Sequence, residues 1–338
     1  MKDRSALRTK NLAIGYGKGK NRQDVLSHIS LQAKTSQIIA LIGANGTGKS
    51  TLLRTLAGLQ PAHDGEIWLN SKDFNKLTPK EIAFQVSLVL TDRIQTGYIT
   101  VGDLVAMGRY PHTDWKGRMA EADVKAVLGA LKITGLSNLI HSDLQELSDG
   151  QKQKTMIARA MAQDGDLMLL DEPLIHLDVP SKWEIMNLLR RMAHERSKTV
   201  ILATHELDLS LRMADQLWLI DEKKNLIAGA PEDLVLDGLI SKVFDSQQYF
   251  FDQDLGGFAM KSEGIKVKVT GSGSTLIWTK RALERAGYQP VNIDVGSEIV
   301  CRESNSGRQW NIRSEESSES CNSIEELIDF LKELHNST

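Results

Sequence analysis

Gly43-Ala44-Asn45-Gly46-Thr47-Gly48-Lys49-Ser50-Thr51 fits the spacing G-x-x-x-x-G-K-[ST], and its flanks decide how it folds. Residues 38–42, just upstream, are an unbroken apolar run of the kind a buried parallel strand needs. Downstream, residues 50–59 put Leu52, Leu53, Leu56 and Leu59 at helical spacing, predicting a helix with one apolar face. A strand, a glycine-rich loop and a helix in that order make a phosphate cradle. Glycines let successive backbone N–H groups curve around phosphate oxygens, and the helix N-terminus adds favourable partial charge. Residues 43–51 are therefore expected to bind a nucleotide, with Lys49 reaching the β- and γ-phosphates and the Ser50 hydroxyl on Mg²⁺.

Outward from the loop, strand and helix signals alternate through the first 240 residues, the pattern of an α/β domain. Short apolar runs predict strands at 86–90, 167–170, 199–203 and 217–220. Residues 101–163 read as almost wholly helical, a subdomain set into the α/β core; within it Val124, Val127, Leu128 and Leu131 recur on one face. After Gly229-Ala230-Pro231 the character changes. Residues 245–262 read as a loop-rich segment carrying Tyr249, Phe250, Phe251 and Phe258. A strand at 265–269, a helix at 276–285 and short alternating stretches near 290–294, 298–302 and 308–313 follow. An acidic, serine-rich turn then leads to a last helix at 324–334. The expectation is an α/β domain over 1–240, with its helical subdomain at about 101–163, and a small α+β domain over 241–338.

The 338 residues suit two domains at about 150 each. With 41% apolar and 25% charged residues the chain can bury a core, which excludes wholesale disorder. No apolar run reaches the roughly 18 residues of a membrane span, and Met1-Lys2-Asp3-Arg4 does not open like a signal peptide. Cys301 and Cys321 are too few for a disulfide framework or a four-cysteine zinc site and read as free thiols. A net charge of −3, with −4 carried by residues 241–338, makes no case for a nucleic acid partner.

Two further motifs narrow the chemistry. Leu147-Ser148-Asp149-Gly150-Gln151 opens a helix, and Ser148 with Gln151 alone would be a capping box. Leu167-Met168-Leu169-Leu170-Asp171-Glu172-Pro173 then ends an apolar strand on adjacent carboxylates. Asp171 can organise Mg²⁺ through water, and Glu172 can polarise a water attacking the γ-phosphate. Thr204-His205 follows the strand at 199–203, at the edge where α/β sheets bind ligands.

In this order the motifs resemble the ATP-binding-cassette (ABC) ATPases, over about residues 5–240. The resemblance implies the P-loop NTPase fold, ATP with Mg²⁺ as cofactors, and a nucleotide sandwiched between two copies of the domain. It implies that Ser148, Gly150 and Gln151 of one copy complete the site around Lys49 of the other. It further makes Tyr16 the aromatic stacked on adenine, Asp178 part of the loop joining the two sites, and His205 the γ-phosphate switch. Beside Gly15 and Gly17, Tyr16 also reads as an ordinary hairpin aromatic.

Three features depart from the family pattern. Thr91-Asp92, with Gln95 further on, stands where a glutamine usually follows the strand at 86–90. Asp149 replaces a signature glycine, so its carboxylate is expected to face away from the phosphate. Ile175 and His176 occupy positions that are usually small. The stretch Gly108-Arg109-Tyr110-Pro111-His112-Thr113-Asp114-Trp115 resembles the ATPase subunits of bacterial importers for iron–siderophore complexes, haem and cobalamin. Tyr110 and Trp115 fit either a docking surface or the packing of the subdomain. The resemblance implies an inner-membrane importer, with the chain peripheral on the cytoplasmic face beneath integral permease subunits and a substrate-binding protein delivering cargo. A non-transport ABC ATPase acting on ribosomes or DNA is the competing class. The 241–338 domain reads as either a ligand sensor or a dimer-stabilising appendage.

Overall fold

The computed structural model describes residues 5–17, 19–90, 97–113, 116–261, 264–293, 295, 298–304, 307–313 and 318–336. The chain divides into two compact units, Met1–Asp237 and Gly238–Thr338.

The first unit opens with β1 (Ser5–Tyr16), β2 (Gln23–Ile29), β3 (Gln32–Lys34), β4 (Ile38–Gly43) and α1 (Lys49–Leu56). Then come β5 (Asp64–Leu69), β6 (Lys72–Asp73), α2 (Pro79–Gln85), β7 (Val86–Val89), α3 (Val101–Ala106), α4 (Glu121–Ile133) and α5 (Asp149–Gln163). It closes with β8 (Leu167–Asp171), α6 (Val179–Arg196), β9 (Thr199–Thr204), α7 (Leu207–Met213), β10 (Gln216–Ile220), β11 (Leu226–Gly229) and α8 (Pro231–Leu236).

Six strands form the central sheet in the order β11-β10-β4-β9-β8-β7, all parallel except β11. Residues 38–42, 167–170 and 200–203 are at most 2% exposed, which is why these strands are apolar throughout rather than alternating. Strands β1, β2, β3, β5 and β6 make a separate antiparallel sheet. It packs through Leu7, Leu12, Ile14, Leu26 and Leu69 against Leu52, Leu53 and Leu56 of α1. The expected face of α1 is buried except for Leu59, which is 62% exposed. The helix stops at Leu56 and Gly58 turns left-handed (φ 75°), so Leu59 leaves the helical register.

α3, α4 and α5 form the helical subdomain around Val101, Leu104, Val127, Leu131 and Leu147. On α4 the buried side is Asp123, Val127, Ala130 and Leu131, while Val124 and Leu128 are exposed. Asp123 is turned inward by Arg109, whose guanidinium donates to its carboxylate at 2.9 Å and to the Ala162 carbonyl at 2.6 Å. Both side chains are buried. The Ala120 amide and Arg109 together hold the Asp123 carboxyl below the usual carboxylate range. Cutting a buried pair leaves its partner uncompensated. Arg109→Ala is therefore expected to lower the melting temperature of the chain by roughly 5–10 °C, read by calorimetry.

The second unit holds α9 (Leu239–Phe244), β12 (Tyr249–Asp252), β13 (Gly257–Met260), β14 (Ile265–Thr270), α10 (Gly273–Arg285) and β15 (Tyr288–Val291). It ends with β16 (Glu298–Ser304), β17 (Gly307–Arg313), β18 (Ser318–Cys321) and α11 (Ile324–Asn336). Its five-stranded sheet runs β15-β14-β16-β17-β18, with Val267, Leu283, Ile299, Ile312, Leu327 and Leu331 in its core. Two expectations change here. Residues 249–260 form a hairpin rather than a loop, organised by edge-on contacts of Phe258 with Phe244, Tyr249 and Phe251. Part of the serine-rich turn is the strand β18, whose Cys321 lies opposite Trp310 of β17. Cys301 and Cys321 are both free and buried, flanking Trp310 on neighbouring strands.

Candidate nucleotide site

Sheet order builds the site. β9 lies between β4 and β8, and the register pairs Ile42 with Thr204 and Ala203 with Asp171. The C-terminal ends of the three strands are therefore flush, and each delivers its motif to the same edge: the phosphate loop after β4, Asp171 and Glu172 at β8, and His205 after β9. This is the edge at which parallel α/β sheets bind ligands.

Gly48 permits the loop to enter α1. Its φ is 108°, and a Cβ there would lie 2.6 Å from a Val25 methyl carbon. Thr47 Oγ1 donates to the Ala44 carbonyl at 2.9 Å and closes the loop on itself, while Ala44, Asn45 and Gly46 stay exposed. The Lys49 ammonium is buried and donates to the carbonyls of Gly43 (2.8 Å) and Ala44 (3.1 Å). Burial pushes its pKa below the ordinary lysine range, opposed by the carboxylates of Glu172 and Asp171.

Ser50 Oγ donates to Asp171 Oδ1 at 3.0 Å. One hydroxyl and one carboxylate oxygen thus meet, the donor chemistry with which a protein holds Mg²⁺ when phosphates and water supply the remaining ligands. Among the described residues no group of three or more His, Cys, Asp or Glu could hold a metal ion.

Glu172 has one carboxylate oxygen 3.9 Å from Lys49 Nζ and the other 2.9 Å from His205 Nδ1. Its backbone is left-handed (φ 48°), uncommon outside glycine, and its amide donates to the Ala203 carbonyl at 2.9 Å. That bond anchors the turn to β9, the strand that carries His205.

Tyr16 ends β1 beside the loop. Its hydroxyl shares a hydrogen bond of 2.7 Å with Thr51 Oγ1, and the residue stays 55% exposed. Asp178 caps α6 by accepting from the Ser181 amide at 3.1 Å, and bonds from Ser181 hold its carboxyl below the usual range.

Ser148 and Gln151 form a full capping box at the start of α5. The Ser148 amide donates to Gln151 Oε1 at 3.0 Å, and the Gln151 amide to Ser148 Oγ at 3.3 Å. Among the described residues of one chain, neither they nor Gly150 hydrogen-bond to residues 43–51. Asp149 is exposed in the first turn of α5, where its charge suits the helix N-terminus. Ile175 is 37% exposed and His176 is left-handed (φ 62°). Tyr110 is 65% exposed, whereas its neighbour Arg109 is buried. Thr91, Asp92, Gln95, Asp114 and Trp115 lie outside the described residues.

Sequence reasoning missed two residues next to this group. Lys182 on α6 donates to Glu206 Oε1 at 2.6 Å, and Glu206 stands beside His205. A lysine early in a helix and a glutamate at a helix start carry no signal of their own, because only the fold brings them together.

The site defines a P-loop nucleotide-binding protein of the cassette type. Comparison with known proteins agrees: the ABC transporter profile matches residues 26–175, and the iron ABC transporter C-terminal domain profile matches 264–332. An ABC transporter ATP-binding protein of Methanocaldococcus jannaschii is 37% identical over 262 residues, covering 78% of this chain and 89% of that one. The ferric enterobactin transport ATP-binding protein FepC of Escherichia coli is 35% identical over 252 residues, 74% and 91% of the two chains. A solved structure of an inward-facing ABC transporter of the metal-chelate type matches with a TM-score of 0.63 and 26% identity, covering 77% of this chain and 98% of that one. The chain belongs to the ABC transporter ATP-binding proteins, the ATPases that couple ATP hydrolysis to transport. Among the described residues no helix is long and apolar enough to cross a membrane.

Proposed function

We propose that this chain is the ATP-hydrolysing subunit of an importer for an iron–siderophore complex. The observation that carries the ATP-hydrolysing part of the reading is the carboxylate of Glu172, set between Lys49 and His205 at the edge where the phosphate loop ends. Residues 43–51 wrap the phosphates and Tyr16 stacks on adenine. Ser50 and Asp171 would hold Mg²⁺, which would supply positive charge against the phosphate oxygens. Glu172 takes the proton of the attacking water, and His205 turns to the γ-phosphate. Ser148, Gly150 and Gln151, which among the described residues make no hydrogen bond to residues 43–51, face the γ-phosphate held by a second copy. ATP thus closes a two-site dimer, with Asp178 in the loop between the sites, and hydrolysis opens it.

The cargo class rests on similarity to the ferric enterobactin protein, to the petrobactin import protein FpuD of Bacillus anthracis (35% identical, 71% of this chain and 86% of that one), and on the iron-type C-terminal domain. The chain then works at the cytoplasmic face of the inner membrane, bound to permease subunits that receive cargo from a binding protein. Affinity capture of the tagged chain from gently solubilised native membranes tests this, with partners identified by mass spectrometry. A many-helix permease should co-elute. Ribosomal or DNA-repair proteins without any integral membrane partner would refute the importer reading.

A further inference from the structure

Around His205 the contacts extend past the residues that touch ATP. Nδ1 of the imidazole lies 2.9 Å from Glu172, and Nε2 faces Glu206 Oε1 at 3.6 Å. The same Glu206 oxygen accepts from Lys182 Nζ at 2.6 Å, and the Lys182 and Glu206 side chains are each only 22% exposed. Glu206 is fixed at the start of α7: its amide donates to Thr204 Oγ1 at 3.1 Å and its carbonyl accepts from Ser210 Oγ at 2.7 Å. Lys182 is fixed in the first turn of α6, where its amide donates to the Asp178 carbonyl at 3.0 Å. Asp178 caps that helix.

We infer that the Lys182–Glu206 ion pair is a positioning link that ties the loop headed by Asp178 to the imidazole of His205. The inference rests on the ATPase reading above. Asp178, Lys182 and the first turn of α6 form one rigid piece, so a displacement of this loop when a second copy docks is passed through Lys182 to Glu206. Glu206 in turn sets the side of the imidazole not occupied by Glu172. A charge-assisted bond with both ends held at helix starts transmits position better than a pair of freely rotating surface side chains. Neither residue touches ATP in this scheme, so the link governs turnover rather than nucleotide affinity.

The test compares the full-length wild type, Lys182→Met, Glu206→Gln and Lys182→Arg in steady-state ATPase assays, alongside ATP binding and melting temperature. Lys182→Met and Glu206→Gln should each lose about tenfold in kcat, with KM for ATP and melting temperature unchanged and a reduced Hill coefficient. Lys182→Arg, which keeps the ion pair, should recover most of the loss. Unchanged kcat in both neutral variants overturns the link. So does a loss that Lys182→Arg leaves in place, or one that follows melting temperature. The wild type separates this inference from the reading beneath it: no ATP hydrolysis at all refutes the ATPase assignment itself, whereas normal wild-type turnover with silent Lys182 and Glu206 variants refutes only the link.

Discussion

Glu172→Gln is expected to reduce ATP turnover by roughly 10²–10⁴ while leaving ATP binding intact, the usual scale for loss of a general base. Glutamine has nearly the size of glutamate and can still hydrogen-bond His205, so the geometry at 2.9 Å has a substitute. It cannot take a proton from water, which is the role proposed for Glu172. It also removes a negative charge close to the γ-phosphate position, which should not weaken binding of an anionic nucleotide. ATP should therefore hold the variant in its closed form, giving a stable species of about twice the 37.5 kDa chain mass in light scattering. Turnover at the wild-type rate would mean that another group is the base.

Lys49→Ala should act a step earlier and abolish tight ATP binding, with an affinity loss of roughly 100-fold in titrations with a fluorescent ATP analogue. The ammonium is only 6% exposed and already desolvated, directed into the loop by the Gly43 and Ala44 carbonyls and neighboured by Glu172. A cation prepared in this way spends little further desolvation when it meets phosphate oxygens. Alanine leaves the glycine-rich backbone intact, so the fold should persist while the charge partner of the phosphates is gone. Binding within a few-fold of wild type would remove Lys49 from the phosphate site. The two variants separate cleanly, since one binds without turning over and the other fails to bind.

What was legible in the sequence follows from how local each determinant is. The phosphate loop, the Asp171-Glu172 pair and the strands beneath them depend on spacing within a few residues, and continuous apolar runs marked the buried parallel strands. His205 was legible as a residue at a strand end, but its contact with Glu172 depends on β9 lying beside β8, which only the sheet order supplies. The inward turn of Asp123 was not legible, because Arg109 is 14 residues away and an aspartate on a helix ordinarily faces water. Helical spacing alone therefore put Val124 and Leu128 on the buried side. The hairpin at 249–260 was hidden for a related reason. Its strands are short, and the packing of Phe258 against three aromatic rings, rather than strict alternation, defines them.

In the second unit periodicity predicted helices at 276–285 and 324–334, which the structure extends to Gly273–Arg285 and Ile324–Asn336, yet the sheet they cover was harder to see. β14 pairs in parallel with both β15 and β16, whereas β16, β17 and β18 form a meander. Trp310 sits in that meander and donates from its indole nitrogen to Thr279 Oγ1 of α10 at 2.7 Å. This buried bond fixes helix to sheet, and no spacing rule links residues 31 positions apart.

ATP-driven import by this chain is read most directly in the uptake of a radiolabelled iron–siderophore complex by native cells lacking the chain and complemented with either the wild type or Glu172→Gln. The wild type should restore uptake, and Glu172→Gln, though bound to ATP and to the permease, should not. Equal uptake with the two chains, or uptake undiminished when the chain is missing, would rule out ATP hydrolysis at Glu172 as the source of import.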